Sequence, residues 1–479
     1  MWRNRLFYLI GFWVLVLACL QLVPLFLAVL TDDSRAISGL FTSMMVASFL
    51  GGGMVLGFRS TEKVRVPRLT VFLPLSGFTV LAILAGLPFF FLFPERGFLT
   101  AFYDGMSQIT TNGSTAYEGA IEGMPSLILW RALTGWVGGL LAIAFALSML
   151  MALNSGGMQL HRSPLHYGES EAGYPRLRAT AQTIAPLYGG VTALCFLLLS
   201  ITGAKPFDAV ILSLSLVSTS GGVPESMVQS QQSLQQIIMA IFLIIGLSNW
   251  DFHYLRMKNR TTGFNKDREL RITLFVLICG TVALFLLPLF GFRDIISLFF
   301  ASASALSTFG VMPANVVAAE DIAVPIGMTL MLLAAIGGGV ASTTGGLKQM
   351  RVITIIKLGR AEVDRLAHPH GVSLVKYGST IAEKHDIGAI WLLLGSFVLI
   401  ITAGAIALAV LGVQFEDAVA LAFTAMTLSG PLIIGSDPTF AGFDTLNQSD
   451  YLILSILMLI GRVEASLFMA VFAKALWRG

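Results

Sequence analysis

The sequence predicts an all-α polytopic membrane protein in which four span–pore-helix–span repeats surround a central pore, preceded by two N-terminal helices. Three observations predict it. The 479 residues are 56% hydrophobic and only 12% charged, where an ordinary soluble domain is about 25% charged. Apolar runs of about 20 residues, long enough to cross a hydrocarbon core, recur along the whole chain. Between them lie four short apolar segments that end alike: AFYDGMSQITTNGST (101–115), DAVILSLSLVSTSGGVP (208–224), DIISLFFASASALSTFGVMP (294–313) and DAVALAFTAMTLSGPLIIG (417–435).

Long spans are expected near 6–30, 38–58, 69–93, 127–153, 181–204, 234–257, 271–291, 322–346, 387–412 and 450–475. They divide the chain into a two-helix preface, 1–58, and four repeats, 68–153, 181–258, 270–360 and 386–476, the third interrupted by a glycine-rich run. Lys and Arg fall almost entirely in alternate connections. These are Arg59, Lys63, Arg65 and Arg68; Arg162, Arg176 and Arg178; Arg256, Lys258, Arg260, Lys266, Arg268 and Arg271; and the stretch from Lys348 to Lys384. The positive-inside rule makes those connections, and both termini, cytoplasmic. The opposite connections carry Asp32, Asp33, Glu118, Glu122, Glu225, Glu320, Asp321, Asp437 and Asp444, so the face toward which the four turns open is acidic and external. The first span starts with Arg3 and Arg5, yet it is longer than a signal-peptide core and no small-residue cleavage site follows, so it is expected to be retained. Cys19, Cys195 and Cys279 lie in apolar spans and are expected to be packing residues.

Each short segment ends in Ser or Thr close to a glycine. Glycine admits a positive φ, which lets backbone carbonyls be aimed at a dehydrated cation. Irregular backbone at membrane depth is tolerated only where it is buried or lines a water-filled cavity, and four such elements converging on one axis meet that condition together. Their helix dipoles put partial negative charge at the centre. No turn carries Lys or Arg, so cation rather than anion passage is implied. Asp104, Asp208, Asp294 and Asp417, at or near the helix starts, are read as caps in preference to ion ligands. A glycine-rich run, Gly337, Gly338, Gly339, Ser342, Thr343, Thr344, Gly345 and Gly346, breaks the second span of unit three; it is either a close-packing kink or a loop that plugs the pore. Gly51, Gly52 and Gly53 in the preface read as close helix packing. Arg462 is read as the one basic residue well inside a span, and it must face protein or water. Glu464, two residues away, points to a different helix face, so carbonyls or hydroxyls of 337–346 are the better partners. His368-Pro369-His370 reads as solvated loop rather than metal site. No P-loop, zincin or dinucleotide motif is present and no charged catalytic cluster recurs, so the chain is expected not to be an enzyme. A polytopic enzyme acting on lipids is the alternative of another class; a binding-only sensor would leave four filters without a purpose.

The chain resembles the Trk/Ktr/HKT superfamily of potassium transporters, and within it the bacterial Trk-type membrane subunits. The resemblance rests on the four turns together with WVGGLLAIAFALSML, GGMQLHRSP, GGGVASTTGGLKQMR and IGRVE, each in the matching unit. It implies potassium uptake across a bacterial inner membrane, no bound cofactor, and potassium as the substrate. It implies a filter of Thr111, Asn112 and Gly113; Thr219, Ser220 and Gly221; Thr308, Phe309 and Gly310; and Leu428, Ser429 and Gly430, with Gly222 as the alternative to Gly221. It implies an intramembrane gate at 337–346, with Lys348 and Arg462 beside it. A homodimer and a separate cytoplasmic, nucleotide-binding regulatory subunit docked on the basic loops are implied as partners. The usual first turn of the superfamily is three threonines and a glycine; here it is Thr110, Thr111, Asn112, Gly113. Relatives that prefer sodium often carry Ser at the first glycine, so Gly113 argues for potassium, while Asn112 keeps sodium or mixed monovalent cation transport open as the alternative.

Overall fold

The structure, a computed structural model, describes residues 2–58, 67–153, 174–258, 268–317, 323–368, 376–377, 380–381, 384–436 and 440–463. It is helical apart from a two-residue antiparallel ladder, Lys376–Tyr377 with Thr380–Ile381. The preface is a hairpin. Helix Trp2–Leu20 runs on through Leu22–Leu30 and turns at Asp33, whose carboxylate caps Ser34–Gly57 by accepting from the Ala36 amide at 3.0 Å. The Gln21 amide nitrogen donates to the Ser43 hydroxyl at 3.1 Å inside this hairpin.

Four units follow, each with an entry helix, a short pore helix, a turn and an exit helix. Unit one is Pro67–Leu92, Phe98–Ile109 and Pro125–Leu153. Unit two is Tyr174–Ile201, Pro206–Ser218 and Ser233–Leu247 continued by Trp250–Lys258. Unit three is Arg268–Phe285, Ile295–Leu306 and Ala323–Ile336, with Gln349–Ala367 beyond the break. Unit four is Lys384–Val410, Phe415–Thr427 and Gln448–Val463. The pore helices, of 12 or 13 residues, are too short to cross a bilayer, as expected.

Among the described residues, six helices are long and apolar enough to cross a membrane: Arg3–Leu30, Ser34–Gly57, Val71–Leu92, Pro125–Leu147, Thr180–Ile201 and Ile390–Val410. Two expected spans are not continuous. The stretch 234–257 bends by 97° between Ser233–Leu247 and Trp250–Met257, because Ser248 leaves the helical region at φ −82, ψ 171. The stretch 322–346 ends as helix at Ile336, where the glycine run begins. Much of the basic sequence (Arg59, Lys63, Arg65, Arg162, Arg260 and Lys266), with His370, Glu320, Asp321, Asp437 and Glu464, lies outside the described residues. Of the cysteines only Cys195 is buried; Cys19 and Cys279 are exposed on their helices, so the packing role holds for one of the three.

The preface glycines divide in the same way. A Cβ on Gly51 would lie 2.9 Å from the Leu15 and Val14 side chains, and one on Gly11 would lie 2.6 Å from the Met54 Cβ. Gly52 and Gly53 face open space. Of the three consecutive glycines 51–53, only Gly51 serves close packing. Gly51→Val should destabilise the preface by about 1–3 kcal/mol, the usual cost of overpacking, and lower the melting temperature in detergent. Gly53→Val should leave the melting temperature unchanged.

Candidate ion filter and loop site

Each pore helix ends in the same bond. The amide one residue before the turn glycine donates back to the carbonyl five residues earlier: Asn112 to Ser107 at 2.8 Å, Ser220 to Ser215 at 2.9 Å, Phe309 to Ser304 at 2.9 Å and Ser429 to Thr424 at 2.9 Å. This is the six-to-one closure of a helix C-terminus, which needs a left-handed residue just inside it. That residue lies two positions before each glycine: Thr111 at φ 62, Thr219 at φ 52, Thr308 at φ 59 and Leu428 at φ 60. The repeat selects Gly221 over Gly222 as the second member. The positive φ expected at the glycines themselves occurs in units one and three only, at Gly113 (φ 89) and Gly310 (φ 83). Gly221 and Gly430 serve close approach instead.

The four turns touch in a ring. A Cβ on Gly113 would meet the Gly221 backbone at 2.6 Å, and one on Gly221 the Phe309 carbonyl at 2.0 Å. A Cβ on Gly310 would meet the Leu432 amide at 2.9 Å and the Ser429 carbonyl at 3.3 Å, and one on Gly430 the Asn112 side chain at 2.1 Å. Units one, two, three and four therefore follow one another and close back on one. The closing contact is also a hydrogen bond, from the Gly430 amide to the Asn112 carbonyl at 3.0 Å. Asn112, the departure from three threonines, braces this joint. Its amide donates to the Thr424 carbonyl at 3.1 Å and its oxygen accepts from the Ser114 hydroxyl at 2.7 Å.

The run 337–346 forms an irregular loop directly against the ring. The Thr111 hydroxyl donates to the Thr343 carbonyl at 3.4 Å, the Thr219 hydroxyl to the Thr343 hydroxyl at 3.0 Å, and the Gly345 amide to the Thr308 hydroxyl at 3.0 Å. Unit four contributes a carbonyl: the Gly346 amide donates to Thr427 at 3.2 Å. A Cβ on Gly345 would lie 1.9 Å from that carbonyl, so only glycine fits. On its other side the loop uses the break in unit two. The carbonyls of Gly246 and Leu247, left without helical partners at the bend, accept from the amides of Thr343 (3.3 Å) and Gly339 (2.8 Å), while the Trp250 amide donates to Ala341 at 3.0 Å. Lys348, itself at φ 72, folds back to donate to the Thr344 carbonyl at 2.6 Å. Arg462 reaches the loop as its position suggested. Its Nη1 donates to the Thr343 carbonyl at 2.9 Å and its Nε to the Thr110 carbonyl at 2.8 Å, and Nη2 reaches the Thr110 carbonyl and the Thr111 hydroxyl.

A model of the TrkH family, described as a cation transport protein, matches residues 76–478. The chain belongs to the TrkH family. It is 28% identical over 488 residues to the Trk system potassium uptake protein TrkH of Escherichia coli (strain K12), covering 98% of each chain. To the protein of the same name from Vibrio parahaemolyticus it is 25% identical over 486 residues, again with 98% of each covered. The crystal structure of the potassium transporter TrkH from Vibrio parahaemolyticus superposes with a TM-score of 0.89 at 23% identity over the full length of both chains, which establishes the shared fold. The relatives are named as transporters, not enzymes.

In this TrkH-family chain the acids do not cap as the sequence suggested: Lys205 and Gln414 hold the N-cap positions before Asp208 and Asp417, and Asp294, at its N-cap, makes no side-chain cap bond to its helix. Asp208 and Asp417 stand in the first turns of their helices, and Asp294 accepts from the Gly291 amide at 3.0 Å. Asp104 is different. Its helix begins at Phe98, so Asp104 falls in the second turn, fully buried, and pairs with Arg131 at 3.5 Å. Arg462 is therefore not alone: Arg131 is a second arginine inside an apolar helix, and it is buried. Its signal was the charged pair itself, one acid and one base each set in an otherwise apolar stretch.

Outside the ring lies a cavity of about 150 Å³ lined by Gly113, Gly221 and Pro431 of the turns and by Glu118, Glu122 and Glu225. Burial pushes the Glu225 carboxyl up to about 7, helped by the nearby Glu118 charge. Burial also raises Glu118, which the Arg131 charge pulls back down while Asp444 and Glu122 add to the rise. A raised carboxyl is neutral below its pKa and charged above it, so the mouth becomes more negative as pH rises through about 7. Cation uptake measured below saturation should therefore increase between about pH 6 and pH 8, and Glu225→Gln should remove the increase.

Proposed function

We propose that this chain takes up potassium through the ring of four turns, across a bacterial inner membrane, with both termini cytoplasmic. The observation that carries this reading is the closed ring itself. Four helix C-termini, each bearing partial negative charge, converge through turns that carry no basic side chain, a setting suited to a dehydrated monovalent cation. The potassium uptake named for its relatives, and Gly113 at the first filter glycine, favour potassium over sodium. In this reading Thr111–Gly113, Thr219–Gly221, Thr308–Gly310 and Leu428–Gly430 contact the ion, and the outer carboxylates attract it. The loop 337–346, with Lys348 and Arg462, is the gate: a plug held under the filter by hydrogen bonds from all four units and from the Arg462 guanidinium. A cytoplasmic nucleotide-binding subunit on the basic connections would move the plug, and two copies of this chain would share that subunit.

Rubidium and sodium fluxes into proteoliposomes test the ion. Rubidium should exceed sodium; equal or greater sodium flux would reject potassium in favour of the sodium or mixed-cation alternative. Cysteines placed at Glu118, Glu225 or Asp444 should react with an impermeant reagent from outside intact cells; reaction only after permeabilisation would reverse the orientation. Gly113→Ser puts a side chain at φ 89 and should raise sodium flux relative to rubidium. Shortening the loop, or Arg462→Ala, should raise basal flux, and the two changes should be non-additive because the groups touch. If both variants fold with basal flux and regulation unaltered, the gate assignment is wrong.

A further inference from the structure

The turn of unit one is gripped at both ends by arginines. Arg462 holds the inner end through the Thr110 carbonyl. At the outer end the Arg131 Nη2 donates to the carbonyls of Gly113 at 3.3 Å and Ser114 at 3.4 Å. Arg131 is 3% exposed and Asp104 is fully buried. The guanidinium lies 3.5 Å from the Asp104 carboxylate, whose other oxygen accepts from the Thr115 hydroxyl at 2.6 Å. The Gln108 amide, turned so that its oxygen faces the guanidinium, accepts from Nε at 3.1 Å and Nη2 at 2.6 Å. One network thus joins the pore helix, the turn and the exit helix behind a single filter strand.

The other units lack it. Nine residues before the filter glycines, where unit one has Asp104, stand Leu212, Ala301 and Leu421. On the exit helices the equivalent register is marked by a glycine whose Cβ would press on the carbonyl four residues before the filter glycine: Gly138 on Ile109 (2.2 Å), Gly246 on Val217 (3.2 Å) and Gly461 on Met426 (2.3 Å). Seven residues before those glycines stand Arg131, Met239 and Leu454. An ordinary buried contact therefore suffices to pack these positions in units two and four. A buried ion pair is seldom better for stability than apolar residues of similar volume, so its presence in unit one calls for another use.

We propose that Arg131, oriented by Asp104, is a specificity-determining positioning residue. Its donors hold the outer carbonyls of unit one in a fixed direction, which makes one quarter of the filter mouth stiffer and less free to close around a smaller cation. Removing it should admit sodium. The inference rests on the potassium reading, and its readout is the change in the sodium-to-rubidium flux ratio between variant and unmodified protein, which remains measurable whichever ion the unmodified protein prefers.

Breaking one partner alone leaves a buried charge, so the main variant is the double replacement Asp104→Leu with Arg131→Met, which copies the residues of unit two. It should fold and carry rubidium, with the sodium-to-rubidium ratio raised about fivefold, the equivalent of about 1 kcal/mol. Arg131→Lys keeps the charge beside Asp104 but cannot present a planar fork to the carbonyls and Gln108 at once; it should also fold, and should raise the ratio. It supplies the test should the double variant fail to fold. A folded double variant, or a folded Arg131→Lys, with the ratio of the unmodified protein would reduce the network to a structural anchor and overturn the proposal.

Discussion

A left-handed residue at the foot of each pore helix is the constraint on which the site depends. It turns the chain out of the helix, allows the six-to-one closure, and delivers the next residues into the ring. Three of these four residues are threonines, and a β-branched side chain at positive φ costs about 1–2 kcal/mol. Glycine would do the turning without strain. The threonines are explained by their hydroxyls, each of which meets the loop: Thr111 and Thr219 at Thr343, Thr308 at Gly345. One hydrogen bond contributes about 0.5–1.5 kcal/mol net, the size of the strain it accompanies. The docked loop therefore offsets what the turns cost.

The same economy of backbone groups explains the bend in unit two. A helix that stops inside the protein leaves carbonyls without partners. At Gly246 and Leu247 the partners come from Thr343 and Gly339, far away in sequence and in a different unit. The two breaks exchange bonds: the break in unit three donates to Gly246 and Leu247, and the Trp250 amide of unit two donates back to Ala341. Neither break is comfortable alone, and each satisfies the other, as irregular backbone at membrane depth requires.

Fourfold likeness in the backbone coexists with unlike side chains. Leu428 replaces threonine in unit four, where a carbonyl, Thr427, makes the contact with the loop. Unit one is the most heavily braced. Asn112 ties it to unit four, Arg462 holds its inner end, and Arg131 its outer end.

Six of the ten expected spans, the four short helices, the glycine turns and the interrupted third unit were legible in the sequence. They are local or periodic facts: run length, the placing of Gly, Ser and Thr, and the alternation of charge. Arg462 was legible too, since a guanidinium in an apolar run must find polar company. The sequence did not tell Gly221 from Gly222, because two adjacent glycines carry no register until the left-handed residue before them is seen. It did not show the 97° bend, because the polar pair Ser248-Asn249 breaks a span only when donors from elsewhere replace the lost bonds. It placed Asp104 at a helix start because the start itself, at Phe98, follows from how the chain enters the unit. Pairing Asp104 with Arg131, closing the ring between units one and four, and seating the loop on three threonines all join residues remote in sequence, and only tertiary packing decides which of them meet.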